Sequence, residues 1–251
     1  MNIDFLNALR VAEIEQVIAW HRELFAGRRV LEIGSGTGIQ LDRLSAIAKE
    51  VCGLDLEGGI YSDEADPRVQ TYDGHHIPFP DGHFDVIFSS NVLEHVRHRE
   101  AFQAEIARVL APGGRCVHIL PTHHWRAWTT LGTIALLPLN LAIAAAASLR
   151  DREWRLPRKR AEWRDLVIGE QHGEFGDRRS EYEHFRPGKW AAVFRRCGWR
   201  VAEMRPLGMF YEGNTIFGPL LPIDRRKTLA RVLGSACALF VLERAEVPQS
   251  A

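Results

Sequence analysis

The sequence has no excess charge. Its 32 Lys and Arg are matched by 32 Asp and Glu over 251 residues. Nothing in that balance offers a whole-chain electrostatic grip on nucleic acid, so only a local patch would serve. Cysteine is scarce. Cys52, Cys116, Cys197 and Cys237 form no CxxC pair, and each sits in or beside an apolar run. They read as buried, reduced thiols rather than as a zinc site or a disulfide framework. No internal repeat and no low-complexity tract occurs. The N-terminal stretch MNIDFLNALRVAEIEQ carries charges throughout and lacks the basic, apolar, small-residue order of a signal peptide, so a cytoplasmic location is expected. Apolar residues make up 46% and charged residues 25%. This is the mix of one ordinary globular domain, long enough to fold without a disulfide or a metal.

Strands and helices alternate through the first half. Residues 3–26 place Leu6, Leu9, Ile14, Val17, Ile18 and Leu24 at helical spacing, and Gly27 stops the run. Arg29 to Ile33 is a short apolar strand that enters the glycine turn 34–38, and helical spacing resumes at Ile39. Further strands are expected at 51–56, 68–72, 84–90 and 115–120. A helix is expected over 94–110, closed by Ala111-Pro112-Gly113-Gly114. The alternation predicts a parallel sheet covered on both faces, with ligands beyond the carboxyl ends of its strands.

The turn Gly34-Ser35-Gly36-Thr37-Gly38 lets bare backbone approach a ligand where a Cβ would stand in the way. Glu32 lies at the strand end, where a carboxylate can meet an ammonium group. Asp55 ends the next strand, where a carboxylate can accept both hydroxyls of a ribose. A dinucleotide fingerprint wants a third glycine at position 39, which is Ile39.

These segments resemble class I S-adenosylmethionine-dependent methyltransferases, in particular methyltransferase type 11 and the ubiquinone-type O-methyltransferases. VLEIGSGTGIQL resembles their first motif and VCGLDL their second. YDGHHIPFPDGHFDVIFSSNVLEHV resembles the third and fourth, and RVLAPGG the motif that follows. The ordered match covers roughly residues 29–120. It implies S-adenosylmethionine as cofactor, with Glu32 on the methionine amino group and Gly34, Ser35, Gly36 and Gly38 passing along the ligand. It implies Asp55, with Leu56 beside it, at the ribose, and Asp73 at the adenine amine. Gly74 and His75 would line the ring, and Asn91 would lie beside the methionine moiety. The interval between Asp55 and Asp73, which holds a full helix in the family, has two glycines and a proline here and leaves room for about one turn.

Methyl transfer to a hydroxyl needs a proton acceptor, and histidine suits that task near neutral pH. The candidates are His95, His123 and His124. His95 has a second reading, as a helix-start residue that orders the cofactor loop. His75 and His76 also fall near strand ends, His172 and His184 fall in a later cap, and His118 reads as a core residue. Relatives with E-x-x-E-H hold a divalent metal there. This chain has Asn91-x-x-Glu94-His95, an amide in place of the first carboxylate, and no metal is expected.

Residues 127–149, AWTTLGTIALLPLNLAIAAAASL, contain no charge, and 23 residues of helix would cross a hydrocarbon core of about 30 Å. Residues 150–165 hold seven Lys or Arg and four Asp or Glu, net +3, and Trp125, Trp128, Trp154 and Trp163 bracket the run. Three readings compete: a buried helical pair acting as a lid, an element dipping into the bilayer with Pro138 at a bend, and a transmembrane span. A span would divide strands of one sheet between two compartments. Contact with the inner face of a membrane through 125–160 is the expectation, and it is compatible with a lid.

The last third supplies a helix at 189–197, a strand at 199–204, a long connection over 205–223, a basic helix at 224–233 and a strand at 235–242. The resemblance would insert that last strand antiparallel beside strand five. The expected fold is therefore α/β: a Rossmann-like, doubly wound seven-stranded sheet with an antiparallel final strand and a helical insertion after strand five. It forms one domain over 1–251, with an N-terminal helix (1–28), a cofactor-binding half (29–121), the insertion or cap (122–186) and the sheet completion (187–251). The expected activity is O-methylation of a small-molecule or lipid-linked acceptor, with no nucleic-acid partner. Oligomeric state stays open. A non-catalytic, membrane-associated cofactor-binding module is the first rival. A nicotinamide-dependent oxidoreductase is the second, disfavoured by Ile39.

Overall fold

The computed structural model describes residues 3–57, 66–151, 157, 159–168, 171–177, 180–213 and 216–245. Seven strands form one sheet: β1 (Arg29–Ile33), β2 (Glu50–Leu56), β3 (Val69–Tyr72), β4 (Phe84–Ser90), β5 (Leu110–Pro121), β6 (Trp199–Pro206) and β7 (Cys237–Arg244). Their order is β3-β2-β1-β4-β5-β7-β6. The first five strands run parallel, and β7 lies antiparallel between β5 and β6. This is the seven-stranded α/β sheet expected, with its reversed strand beside β5.

The central strands are apolar on both faces because helices cover both. Val30, Leu31 and Ile33 of β1 and Val86, Ile87 and Phe88 of β4 are buried. Helix α1 (Ile3–Phe25) adds Leu9, Ile14 and Val17 to this core, and its backbone kinks at His21. His118, in β5, is fully buried, stacks on Phe194, and joins Ser89 Oγ through Nδ1 at 2.8 Å. Burial pushes it down to about 3, so it stays neutral. It is a core residue. Of the four free thiols, Cys116 and Cys237 are buried, whereas Cys52 and Cys197 are half-buried.

Four sequence expectations need correction. The turn after Gly38 yields only the short α2 (Leu41–Ser45). The helix expected from Glu94 begins at Arg99, as α3 (Arg99–Val109). Leu93–His95 is a single 3-10 turn, and Val96 is extended (φ −88°, ψ 108°), so no helix can run through it. Strand β5 begins at Leu110 rather than Arg115. Pairing steps from Phe84↔Leu110 to Val86↔Arg115, and the extra residues bulge where Gly113 takes φ 76°. The fourth correction concerns the lid. Residues 127–149 lie within one helix, α4 (His123–Asp151), which continues through Pro138. They do not form a helical pair.

The cap also holds α5 (Arg160–Ile168) and α6 (Glu181–His184), followed by α7 (Pro187–Arg196) and, after β6, α8 (Ile223–Leu233). Residues 58–65, in the shortened interval before β3, lie outside the described residues, as do residues 152–156, Trp154 among them, and residue 158 of the basic flank.

Candidate active site

The carboxyl ends of β1, β2, β3 and β4 open into a cleft of about 750 Å³. Gly34, Gly36, Asp55, Leu56, Asp73, Gly74, His75, Asn91 and His95, among the residues singled out in the sequence, all line it. Tyr72, Val92 and Val96 of the same motif string join them, and so do Arg97, His98 and Glu174, which no motif announced.

The glycine turn is forced by close packing. Gly34 has φ 74°, and a Cβ there would come within 2.2 Å of Val92 Cγ2. Its N–H donates to Leu54 O at 2.7 Å, so the turn is pinned to β2. Ser35 does not line the cleft. Its hydroxyl donates to Glu32 O at 3.0 Å and accepts from Leu54 N at 3.2 Å, which braces β1 against β2. Gly38 also lies outside the lining, with φ 82°.

Three carboxylates are set differently. Glu32 is 1% exposed, and its Oε2 has no hydrogen-bond partner among the described residues. Burial pushes it up to about 8, with a smaller push from Asp55. Asp55 accepts from the Gly36 and Leu56 N–H groups, one on each oxygen. Each oxygen keeps a lone pair for a ligand hydroxyl. Asp73 Oδ1 accepts from His75 N at 2.8 Å and His76 N at 2.9 Å, and these bonds hold it below the usual carboxylate range. Its Oδ2 is left for a donor. His75 stacks on His98 at 4.2 Å, and His98 Nε2 meets Gly74 O at 2.9 Å.

Asn91 takes φ 55°, a strained conformation for a non-glycine residue. Its Oδ1 accepts from Cys237 Sγ at 3.4 Å, and Cys237 Sγ lies 3.0 Å from the Tyr211 hydroxyl. Tyr211 donates to Glu13 Oε1 at 2.8 Å and accepts from Arg10 Nη1 at 3.0 Å. A buried chain of polar groups thus links α1 to the end of β4. The long connection after β6 supplies Tyr211.

The 3-10 turn presents Glu94 and His95. Glu94 is fully buried, and neither carboxylate oxygen has a hydrogen-bond partner among the described residues. Its Oε1 lies 4.0 Å from His95 Nε2 and 3.7 Å from His172 Nε2. The three ligand atoms lie within 4.8 Å of one another, close enough for a single divalent cation to bridge them. His95 is pulled below its ordinary value, first by burial, so it is neutral at pH 7. His172 is positioned by Glu181, whose Oε1 accepts from the His172 and Gly173 N–H groups and whose Oε2 meets Arg126 Nε at 3.1 Å. His123 and His124 do not line the cleft. They pack on each other at 4.1 Å, with His123 edge-on to Tyr182.

The cleft fits S-adenosylmethionine. Glu32 is not itself in the lining; it is a buried carboxyl behind the bare glycine turn, with one oxygen unpartnered among the described residues and suited to an ammonium group. Two further carboxylates stand at successive strand ends.

Comparison with known proteins agrees. The family pattern described as a methyltransferase domain matches residues 31–118. Residues 31–118 are a class I methyltransferase domain. Its cofactor is S-adenosylmethionine. The domain is 38% identical over 93 residues to a "probable S-adenosylmethionine-dependent methyltransferase" of Mycolicibacterium smegmatis, covering 36% of each chain. It is 35% identical over 102 residues to the ubiquinone/menaquinone biosynthesis C-methyltransferase UbiE of Azotobacter vinelandii, covering 36% of this chain and 40% of that protein. The matches therefore span well under half of these relatives.

The fold extends further than the domain. A methyltransferase from Mesorhizobium loti superposes with a TM-score of 0.51 at 16% identity, covering 88% of this chain and 92% of that one. The [4+2]-cyclase SpnF gives 0.54 at 15% identity, covering 95% and 83%. A cyclase on the same fold shows that architecture alone does not choose the reaction.

Proposed function

We propose that this protein transfers the methyl group of S-adenosylmethionine to an oxygen of a small-molecule or lipid-linked acceptor, with His95 taking the acceptor's proton. The observation that carries this reading is the Glu94–His95–His172 cluster, which sets a neutral imidazole in the wall of the cofactor cleft. When bound, the cofactor supplies a sulfonium methyl as electrophile, and its sulfur keeps the electron pair of the broken S–C bond. Glu32, Asp55 and Asp73 orient the ligand, and Gly34 admits it. The acceptor oxygen forms the new O–C bond, and its proton passes to an imidazole nitrogen of His95. Glu94 Oε1, 4.0 Å from His95 Nε2, faces the resulting imidazolium. No step requires a metal.

A second reading is transfer to carbon, supported by the similarity to the C-methyltransferase UbiE. A proton acceptor at His95 serves an acidic C–H as well as an O–H. The test is formation of S-adenosylhomocysteine with a panel of phenols, hydroxy acids and a cell lipid extract, followed by product analysis. An O-methyl ether supports the proposal, and a C-methyl product replaces it with the second reading. Cofactor binding without turnover on any acceptor overturns both.

A further inference from the structure

Helix α4 turns large apolar side chains to the outside. Its buried side begins with Arg126, Thr129 and Thr133, the threonine hydroxyls donating to Trp125 O and Thr129 O. Its exposed side carries Leu131, Ile134, Leu139, Ile143 and Leu149, the last 83% exposed. Ala135, Pro138, Ala142 and Ala146 fill the intervening exposed positions. The spacing is three or four residues throughout, so this is one continuous stripe. From 131 to 149 it runs about 27 Å at 1.5 Å per residue. The best 18-residue window of this helix has a mean hydropathy of 1.8, yet only 11% of it is buried.

A second segment extends the stripe. Phe217 is 55% exposed and Leu220 is 87% exposed. Between this turn and α4 runs an apolar groove of about 450 Å³, floored by Trp128, Leu131, Phe210 and Leu229. Trp128 Nε1 donates to Leu233 O at 2.9 Å and so fixes α8 to α4. An apolar surface of this extent on a soluble face calls for a partner.

Charge selects the partner. Arg225, Lys227 and Arg231 stand exposed on α8 against Asp224, and Lys159, Arg160 and Arg164 stand exposed around α5 against Glu162. Two copies pressed stripe to stripe would bring these cations together, whereas anionic lipid headgroups would neutralise them. A full crossing of the bilayer is excluded by topology. β5 ends just before α4, and β7, far beyond it in the chain, pairs with β5 from Cys116↔Leu242 to Pro121↔Cys237. Both ends of α4 must stay on one side.

We infer that the exposed face of α4, together with Phe217 and Leu220, docks the protein onto an anionic bilayer and lies in its interface without crossing it. α4 starts two residues after the carboxyl end of β5.

The test is flotation of the purified full chain with vesicles of phosphatidylcholine alone or mixed with phosphatidylglycerol, beside sedimentation equilibrium in the absence of lipid. The expected result is binding to the mixed vesicles, weakened at least tenfold by raising salt from low to physiological or above, and weaker still on phosphatidylcholine alone. The double variant Leu139→Glu/Ile143→Glu should lose at least tenfold in vesicle affinity. The triple variant Arg225→Glu/Lys227→Glu/Arg231→Glu should lose binding on the mixed vesicles specifically. Retained binding of S-adenosylhomocysteine by each variant shows that it has folded. If a variant fails that control, Leu220→Ser/Phe217→Ser replaces it. Vesicle binding unchanged in all folded variants overturns the inference, as does equal binding to neutral and anionic vesicles. A lipid-free dimer that Leu139→Glu dissociates, with no vesicle binding by the parent chain, also overturns it and assigns the stripe to a second copy. Vesicle binding needs no turnover, so its failure and the failure of methyl transfer are separate results.

Discussion

Glu94 Oε1 lies 3.7 Å from His172 Nε2, and the backbone seals the contact, since Glu174 N donates to Glu94 O at 2.9 Å. The cap loop is thus docked on the turn that follows β4. A carboxyl group without a hydrogen-bond donor among the described residues is costly to bury, and two histidines stand at its rim. From this arrangement, His95 emerges as the histidine to test.

His95→Gln should lower kcat by about 10²–10⁴-fold, the range of a lost general base, with cofactor affinity unchanged. His123→Gln and His124→Gln should leave kcat nearly as it is, because neither lines the cleft. Steady-state kinetics with isothermal titration of S-adenosylhomocysteine separates the two effects. Full activity in His95→Gln would remove the base from this residue.

Cofactor affinity should rise with pH through about 8. Burial lifts Glu32 from its ordinary 4.5 to about 8, so in the free protein its carboxyl is protonated at neutral pH. A raised acid contributes stability that is fully present below 4.5 and is lost as pH rises through 8. A bound ammonium reverses this by favouring the carboxylate. Titrations of S-adenosylhomocysteine between pH 6 and 9 should therefore show a slope that Glu32→Gln abolishes. A flat wild-type profile would count against the contact.

Asp55→Ala should weaken cofactor binding by about 1–3 kcal/mol, the cost of an unmade hydrogen bond to a charged partner. It also strips the Gly36 and Leu56 N–H groups of their acceptor. Asp55→Asn keeps one acceptor oxygen and should fall between the two. Equal affinity in all three proteins would move the ribose site elsewhere.

Gly34→Ala should destabilise the fold by about 1–3 kcal/mol and abolish cofactor binding, since strain at positive φ is added to a steric clash. Gly27→Ala is the control. Gly27 also has φ 71°, but nothing lies within 4 Å of its missing Cβ, so only the backbone strain remains. Denaturation midpoints should fall further for Gly34→Ala than for Gly27→Ala.

Much of the cofactor half was legible from residue order. β1, its glycine turn, Asp55 and Asp73 are local features: a buried strand needs a short apolar run, a close approach needs glycine, and a strand end needs no distant partner to be recognised. The same local logic located the strand over 84–90 and the apolar run of α4. Tertiary structure decided the rest. Ser35 became a brace because β2 offers Leu54 N to its hydroxyl. His172 reached Glu94, and Tyr211 reached Glu13, only because segments distant in the chain fold together. The apolar composition of α4 was written in the sequence, but not its outward face. Hydropathy counts apolar residues along a helix, whereas neighbours decide which side they cover, and here they left Leu131, Leu139 and Ile143 outside.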